Sequence, residues 1–234
     1  AALAQAAIDP AQVAMVSLST TLATNALVEG QGGRIALVFI GFDAAELGRA
    51  GLTDALRGDP VIALAGGHSH AGGEIAALDL AGLAQAIDAL DAGITGFAIA
   101  GSFATRNAAH EIAARDLIRE RTGKPVTCSH ELSSALGGPK RALTAVLNAR
   151  LIGMIDGLIA ACEGHLTKVG IDARLMVVRG DGALVSAAVA REKPIETILS
   201  GPAASIAGAS WLTGELDALV SDIGGTTTDV CLLQ

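Results

Sequence analysis

The chain has 234 residues and is acidic, with 24 Asp and Glu against 16 Lys and Arg, a formal charge of −8; aromatic side chains are only 2%. That balance argues against a partner gripped through a phosphate backbone, and the lack of aromatic platforms argues against single-stranded nucleic acid. Mean hydropathy is +0.51. Yet Gly, Asp, Glu or Arg breaks every candidate run of about 18 apolar residues, so no membrane partner is expected.

Apolar runs alternate with helical patterns from end to end, which predicts an α/β protein. Val13 to Leu18 reads as a strand, followed by a helix over Thr20 to Val28 opened by Ser19 or Thr20. Arg34 to Ile40 is a buried strand ended by Gly41, and Val61 to Ala65 is another. An amphipathic helix follows over Leu80 to Leu90, then a strand over Gly96 to Ala100. Asn107 offers an N-cap to a helix reaching Arg121, and Val126 to Cys128 returns to a strand. Pro139 to Lys168 has the spacing of one long helix, started by the Gly137-Gly138-Pro139 punctuation. Leu175 to Val178 is a strand, Pro202 to Trp211 a helix of small residues, and Ala218 to Leu233 two strands joined by a glycine-threonine turn. A soft boundary near residue 128 divides the chain into domains over 1–128 and 129–234.

Cys128, Cys162 and Cys231 are widely spaced in apolar contexts and read as buried free thiols. They fit a cytoplasmic setting. Ala1 to Ala6 has the small residues of a signal-peptidase site but lacks a preceding basic segment and apolar core.

The sharpest feature is Ser221-Asp222-Ile223-Gly224-Gly225-Thr226-Thr227-Thr228-Asp229-Val230. Two glycines let backbone N–H groups approach a ligand, and three threonine hydroxyls add donors at the same place. Phosphate oxygens need such a concavity of donors. The carboxylates of Asp222 and Asp229 would repel phosphate by themselves; a hard cation between them, such as Mg²⁺, would reconcile the two. An ordinary hairpin with a polar turn is the plainer alternative.

Asp-Ile-Gly-Gly-Thr-Thr-Thr-Asp-Val between apolar strands resembles a phosphate loop of the actin-like and sugar-kinase ATPases. Leu199-Ser200-Gly201-Pro202-Ala203-Ala204, five residues before Ala209, narrows the likeness to the hydantoinase A and 5-oxoprolinase family. Three more segments resemble that family in its order: Ser19-Thr20-Thr21-Leu22-Ala23-Thr24-Asn25-Ala26-Leu27, Asn107-Ala108-Ala109-His110-Glu111, and Thr144-Ala145-Val146-Leu147-Asn148-Ala149. The family's His-Gly pair is replaced by Leu18-Ser19, and the span from Phe42 to Leu78 is short.

The resemblance implies actin-like ATPase (ribonuclease H-like) lobes, mixed sheets flanked by helices, incomplete at both ends. A similar loop should precede residue 1 and an adenosine-binding segment should follow Asp222, so an internal segment of a longer protein, binding ATP weakly alone, is expected. It also implies ATP and Mg²⁺ as cofactors and ATP-dependent opening of a cyclic amide, hydantoin or 5-oxoproline-like. The carbonyl oxygen is phosphorylated and water attacks the activated imidate. Related members use the same activation to carboxylate ketones. On this view Asp222 organises Mg²⁺ and its water, with Asp229 supporting the metal or the turn. Gly224, Gly225, Thr226, Thr227 and Thr228 hold phosphate, and Ser19, Thr20 and Thr21 line the nucleotide cleft. A second, hydantoinase B-type subunit and an oligomeric assembly are the expected partners. A regulatory ATPase module of the same superfamily is the competing class.

Other candidates are simpler. His68 and His70, in Gly66-Gly67-His68-Ser69-His70 with Glu74 nearby, could offer imidazoles to a metal or form a substrate-facing or ordinary polar loop. Asn107 and Asn148 also read as an N-cap and a buried helix hydrogen-bonder, and Gly180-Asp181-Gly182 as a tight turn. Walker, dinucleotide-binding, nucleophile-elbow and zinc-protease motifs are absent from the sequence.

Overall fold

A computed structural model describes residues 9–215, 217–224 and 228–233. Packing divides the chain into two compact units, one spanning Gln31–Gly153 and one formed by the residues up to Gly30 together with those from Met154 on. This division by contact differs from the division by sequence near residue 128.

The Gln31–Gly153 unit is built on four parallel strands: β2 (Ile35–Ile40), β3 (Val61–Leu64), β4 (Gly96–Gly101) and β5 (Val126–Cys128), in the order β3-β2-β4-β5. All six residues of β2 are buried, as the uninterrupted apolar run requires of a strand covered on both faces. Ala36, Val38 and Ile40 pack with Leu83 and Ile87 of α3 (Leu80–Asp88) and Ala114 and Ile118 of α4 (Ala109–Thr122). Ile35, Leu37 and Phe39 pack on the opposite face with Leu52 and Leu56 of α2 (Leu52–Leu56) and with Ala142, Val146 and Ala149 of α6 (Gly138–Lys168). Each large side chain of β2 removed from water contributes about 1.5–3 kcal/mol.

The chain leaves β2 through Gly41 at φ +71°, where an added Cβ would lie 2.6 Å from the Gly66 carbonyl oxygen. Only glycine fits there. A short helix, α5 (Ser129–Leu132), follows β5 directly. Near the start of the sheet, Arg150 and Asp59 form a buried ion pair at 2.7 Å, and the same Asp59 carboxylate accepts the Ile35 N–H.

The other unit holds β1 (Met15–Leu18) parallel to β6 (Arg174–Val178), which pairs antiparallel with β7 (Leu184–Ser186). Around them lie α1 (Leu22–Glu29), α7 (Ala187–Glu192) and α8 (Ser200–Thr213). A separate hairpin of β8 (Ala218–Ile223) and β9 (Thr228–Leu233) packs beside α8.

The sequence places α8 from Pro202, whereas it starts at Ser200, because Ser200 and Gly201 already make helical turns ahead of a proline suited to an early position. At 31 residues, α6 is long and apolar enough to span a membrane. It nonetheless carries Arg141, Asn148 and Arg150 buried, each of them hydrogen-bonded within the Gln31–Gly153 unit, as a core helix does.

Candidate functional site

Asp222 and Asp229 stand directly opposite one another in the β8–β9 ladder, so both project from the same face. Along β8 that face carries the half-buried Ala218, Val220 and Asp222, while Leu219, Ser221 and Ile223 are exposed. Facing it, α8 supplies Ser205, whose hydroxyl donates to Asp222 Oδ2 at 2.6 Å. One carboxylate oxygen is thereby fixed. Gly224 and Thr228 flank the turn and are exposed. The expected phosphate ligands Gly225, Thr226 and Thr227 lie outside the described residues.

The segment Ser19-Thr20-Thr21 meets the same helix. Thr20 N–H donates to Ser200 Oγ at 3.3 Å, and that hydroxyl donates back to the Thr20 carbonyl at 2.9 Å. Ser200 is fully buried, so the pairing satisfies a polar group that water cannot reach. Thr20 Oγ1 accepts the Leu22 N–H at 3.0 Å and opens α1. Thr24 Oγ1 accepts the N–H of Leu199 at 3.0 Å. Leu199 sits at φ +60° and ψ 17°, the left-handed region that a branched side chain resists. A Cβ on Gly201 would lie 3.1 Å from Thr21 Cγ2, so the start of α8 abuts Thr21.

Two cavities open on either side of Thr21. One of about 530 Å³ is lined by Ser19, Thr20, Gly201, Ser205 and Asp222. The other, of about 390 Å³, is lined by Thr24, Asn25, Val28, Leu199, Pro202 and Asp229. The first brings together Asp222, Ser19, Thr20 and Thr21, which are far apart in sequence. It is an all-oxygen donor set, the kind a hard cation and phosphate take.

In the Gln31–Gly153 unit the parallel strands end in a polar cluster. The Gly67 N–H donates to His110 Nδ1 at 2.9 Å, which leaves the proton on Nε2 for Glu74 Oε1 at 2.9 Å. His68 is buried with its ring 4.3 Å from that of His110. Burial first, and the neighbouring His110 second, lower its pKa, so its imidazole is held neutral. His70 is exposed on the same loop. Neither belongs to a group of three converging ligand atoms among the described residues; the trio found is Glu111, Cys128 and His130.

That trio is already satisfied. The Glu111 carboxylate accepts from the Gly101 N–H at 2.7 Å, from Ser129 Oγ at 2.6 Å and from the His130 N–H at 3.1 Å, and it also meets His130 Nδ1. Arg141 donates to Ser129 Oγ and to the Gly101 and Ala135 carbonyls. Burial, with Glu111 second, pushes the Cys128 thiol far above its ordinary value, which opposes the thiolate a metal needs. Glu111 was visible in the sequence only as the end of a motif, and Arg141 gave no signal.

Asn107 Oδ1 accepts the Ala109 N–H at 3.0 Å while Nδ2 donates to the Gly72 carbonyl. Asn148 is buried and donates to Thr127 Oγ1 at 3.0 Å. Asp181 closes a tight turn by accepting the Ala183 N–H, and that bond, with Arg179 nearby, lowers its pKa.

Residues 1–122 match the family model for the hydantoinase/oxoprolinase N-terminal region, and residues 141–234 match that for hydantoinase/oxoprolinase. The acetophenone carboxylase gamma subunit of Aromatoleum aromaticum is 26% identical over 95% of this chain and 34% of its own length. The caprolactamase subunit alpha of Pseudomonas jessenii is 27% identical over 91% and 34%. For 5-oxoprolinase 1 of Arabidopsis thaliana the figures are 29%, 94% and 20%. The chain thus spans about a third, or less, of the curated relatives it matches. The crystal structure of the ATP-dependent caprolactamase from Pseudomonas jessenii superposes with a TM-score of 0.76 at 26% identity, covering 92% of this chain and 34% of that one. Nucleotide-free acetone carboxylase has the same fold, with a TM-score of 0.76 at 21% identity over 99% of this chain and 37% of that chain.

Proposed function

We propose, because the chain belongs to the hydantoinase/oxoprolinase family, that it forms part of a cytoplasmic ATP-dependent enzyme that opens a cyclic amide through phosphorylation of the amide oxygen. The observation that carries this reading is the 2.6 Å bond from Ser205 to Asp222, which sets a carboxylate on a cavity lined by Ser19, Thr20 and Thr21. Such oxygen donors fit Mg²⁺, which when bound neutralises phosphate charge. Asp222 would hold the metal or its water through the oxygen that Ser205 leaves free. Asp229, opposite Asp222 in the ladder, would support the same hairpin, and Gly224 and Thr228 flank the turn proposed to hold phosphate. Positioning and electrostatic stabilisation, rather than covalent catalysis, are what such a set of groups can supply.

A second subunit is part of the proposal, since two relatives are named as subunits of larger enzymes. The free thiols Cys128, Cys162 and Cys231 accord with a reducing compartment. A ketone carboxylase is the second reading, favoured by a relative of that activity at nearly the same identity as the caprolactamase. The test is ATP hydrolysis by the complete enzyme with Mg²⁺ and, in turn, a lactam, a hydantoin, or a ketone with bicarbonate. Stimulation by a cyclic amide, lost in Asp222→Asn, is expected. Turnover raised only by the ketone would favour the carboxylase, and turnover raised by neither would defeat both.

A further inference from the structure

Leu199 is the residue from which α8 departs, and its backbone is not one that leucine adopts by preference. At φ +60° and ψ 17° it lies in the left-handed region, which glycine enters freely and a residue with a Cβ resists. Among the described residues of its unit, no other non-glycine residue has a left-handed φ. Leu199 is 52% exposed, so burial does not hold it there. The chain just before it is fixed. Thr197 is fully buried, and an added Cβ on Gly180 would lie 2.2 Å from the Ile198 carbonyl oxygen.

What opposes the strain is Thr24. Its Oγ1 accepts the Leu199 N–H at 3.0 Å, and α1, which carries it, is anchored by the buried Ala23 and Ala26. The worth of one hydrogen bond and the cost of one left-handed leucine are of similar size, so the first offsets the second.

The start of α8 thus has two attachments to the segment that opens α1. Ser200, bonded to the Thr20 backbone, fixes one point. A helix held at one point can pivot about it, and the bond from Leu199 to Thr24 removes that freedom. Direction matters because Gly201, Ala204 and Ser205 of α8 form a wall of the cavity of about 530 Å³ that contains Asp222. Ser205 lies six positions beyond Leu199, about 9 Å along a helix of ordinary rise. A pivot of about 10° would move its hydroxyl by about 1.5 Å, and the 2.6 Å bond to Asp222 Oδ2 would not survive that.

We propose that Thr24 is a positioning residue for the metal site: by clamping Leu199 in its left-handed conformation it aims α8, so that Ser205 meets Asp222. The inference rests on the reading of Asp222 as the Mg²⁺ residue and adds a residue that acts on it through two others.

The test is the Mg²⁺ concentration for half-maximal ATP hydrolysis by the complete enzyme. Thr24→Val keeps the branched shape without the acceptor and should raise that concentration about fivefold, the worth of one hydrogen bond. Thr24→Ser keeps the oxygen and should leave it nearly unchanged. Leu199→Gly, added to Thr24→Val, frees the left-handed turn of strain and should return the requirement most of the way. Because Thr24 acts through Ser205, Thr24→Val added to Ser205→Ala should give no further rise, where independent effects would multiply. In enzyme free of metal and nucleotide, hydrogen exchange over Leu199 to Ser205 should run about fivefold faster in Thr24→Val.

A requirement unmoved by Thr24→Val, a further rise on the Ser205→Ala background, no recovery with Leu199→Gly, or unchanged exchange would overturn the proposal. If Asp222→Asn abolishes stimulated turnover while Thr24→Val leaves the requirement unchanged, the positioning role fails and the metal reading stands. If Asp222→Asn turns over like the unmodified enzyme, the metal reading fails and the proposal with it.

Discussion

Ser205 shows how one hydroxyl can decide the behaviour of a carboxylate. A hydrogen bond to an ionised acceptor is worth about 1.5–3 kcal/mol. Asp222 Oδ2 receives such a bond from Ser205 and is oriented by it. Ser205→Ala is therefore expected to raise the Mg²⁺ concentration for half-maximal ATP hydrolysis about tenfold, with little change in thermal stability because Ser205 is half-buried. A Mg²⁺ titration with metal-binding calorimetry tests it, and an unchanged metal requirement would remove Asp222 from the metal site.

His68 obeys the opposite logic, since burial disfavours its charged form. Its pKa in the folded chain lies below the unfolded value of 6.5, so the unfolded chain binds the proton more readily. The stability it contributes is fully present above about pH 6.5 and is lost as pH falls through the lowered folded value. Chemical denaturation from pH 7.5 to 5 should show this decline, and His68→Phe should flatten it. Asp222 stood out in the sequence as a candidate because its carboxylate stands beside a glycine-threonine run. The burial of His68 was not legible, because a glycine-flanked histidine reads as a surface loop until His110 and Glu74 are seen to enclose it.

Among elements, the strands were the most legible. Ile35 to Ile40 and Gly96 to Gly101 are continuous apolar runs, and a strand covered on both faces must be one. α2 was illegible, since five residues give too little periodicity to register and only the packing of Leu52 and Leu56 under the sheet reveals it. The start of α6 was marked by glycine and proline, but its deeper role was not. Arg141, one turn into that helix, ties β4, α5 and the loop before α6 together through Gly101, Ser129 and Ala135. Burial lowers the Arg141 pKa, and the buried Glu111 carboxylate offsets part of that lowering. Removing one member of such a buried set strands the other, at about 3–5 kcal/mol. Arg141→Ala should lower the unfolding free energy by that amount in urea titrations, with the slope unchanged. A loss under about 1 kcal/mol would mean that Glu111 is fully served by Gly101, Ser129 and His130.

For the whole molecule, the chain order and the packing order differ. The sequence suggested a cut near residue 128, where the character of the elements changes. The compact unit instead runs on to Gly153, because Ala142, Ala145, Val146 and Ala149 of α6 close the second face of the four-stranded sheet. No pattern in sequence reports which face of which sheet a helix will cover. The consequence is testable by expression of residues 31–153 alone. Both faces of β2 and β4 are covered by helices within that span, the Asp59–Arg150 pair is internal, and Glu111 finds all its partners there. It should fold and melt in one cooperative transition, followed by circular dichroism at two wavelengths. Residues 154–234 alone should not, since β6 pairs with β1 over Met15 to Leu18 and Ser200 with Thr20, and both partners come from the first 30 residues. A span cut at residue 128 would lose the α6 cover, exposing Leu37, Phe39 and Ala98 on one face, and should bind hydrophobic dyes and melt without cooperativity. Cooperative melting of 1–128, or its absence in 31–153, would show that α6 does not complete that core.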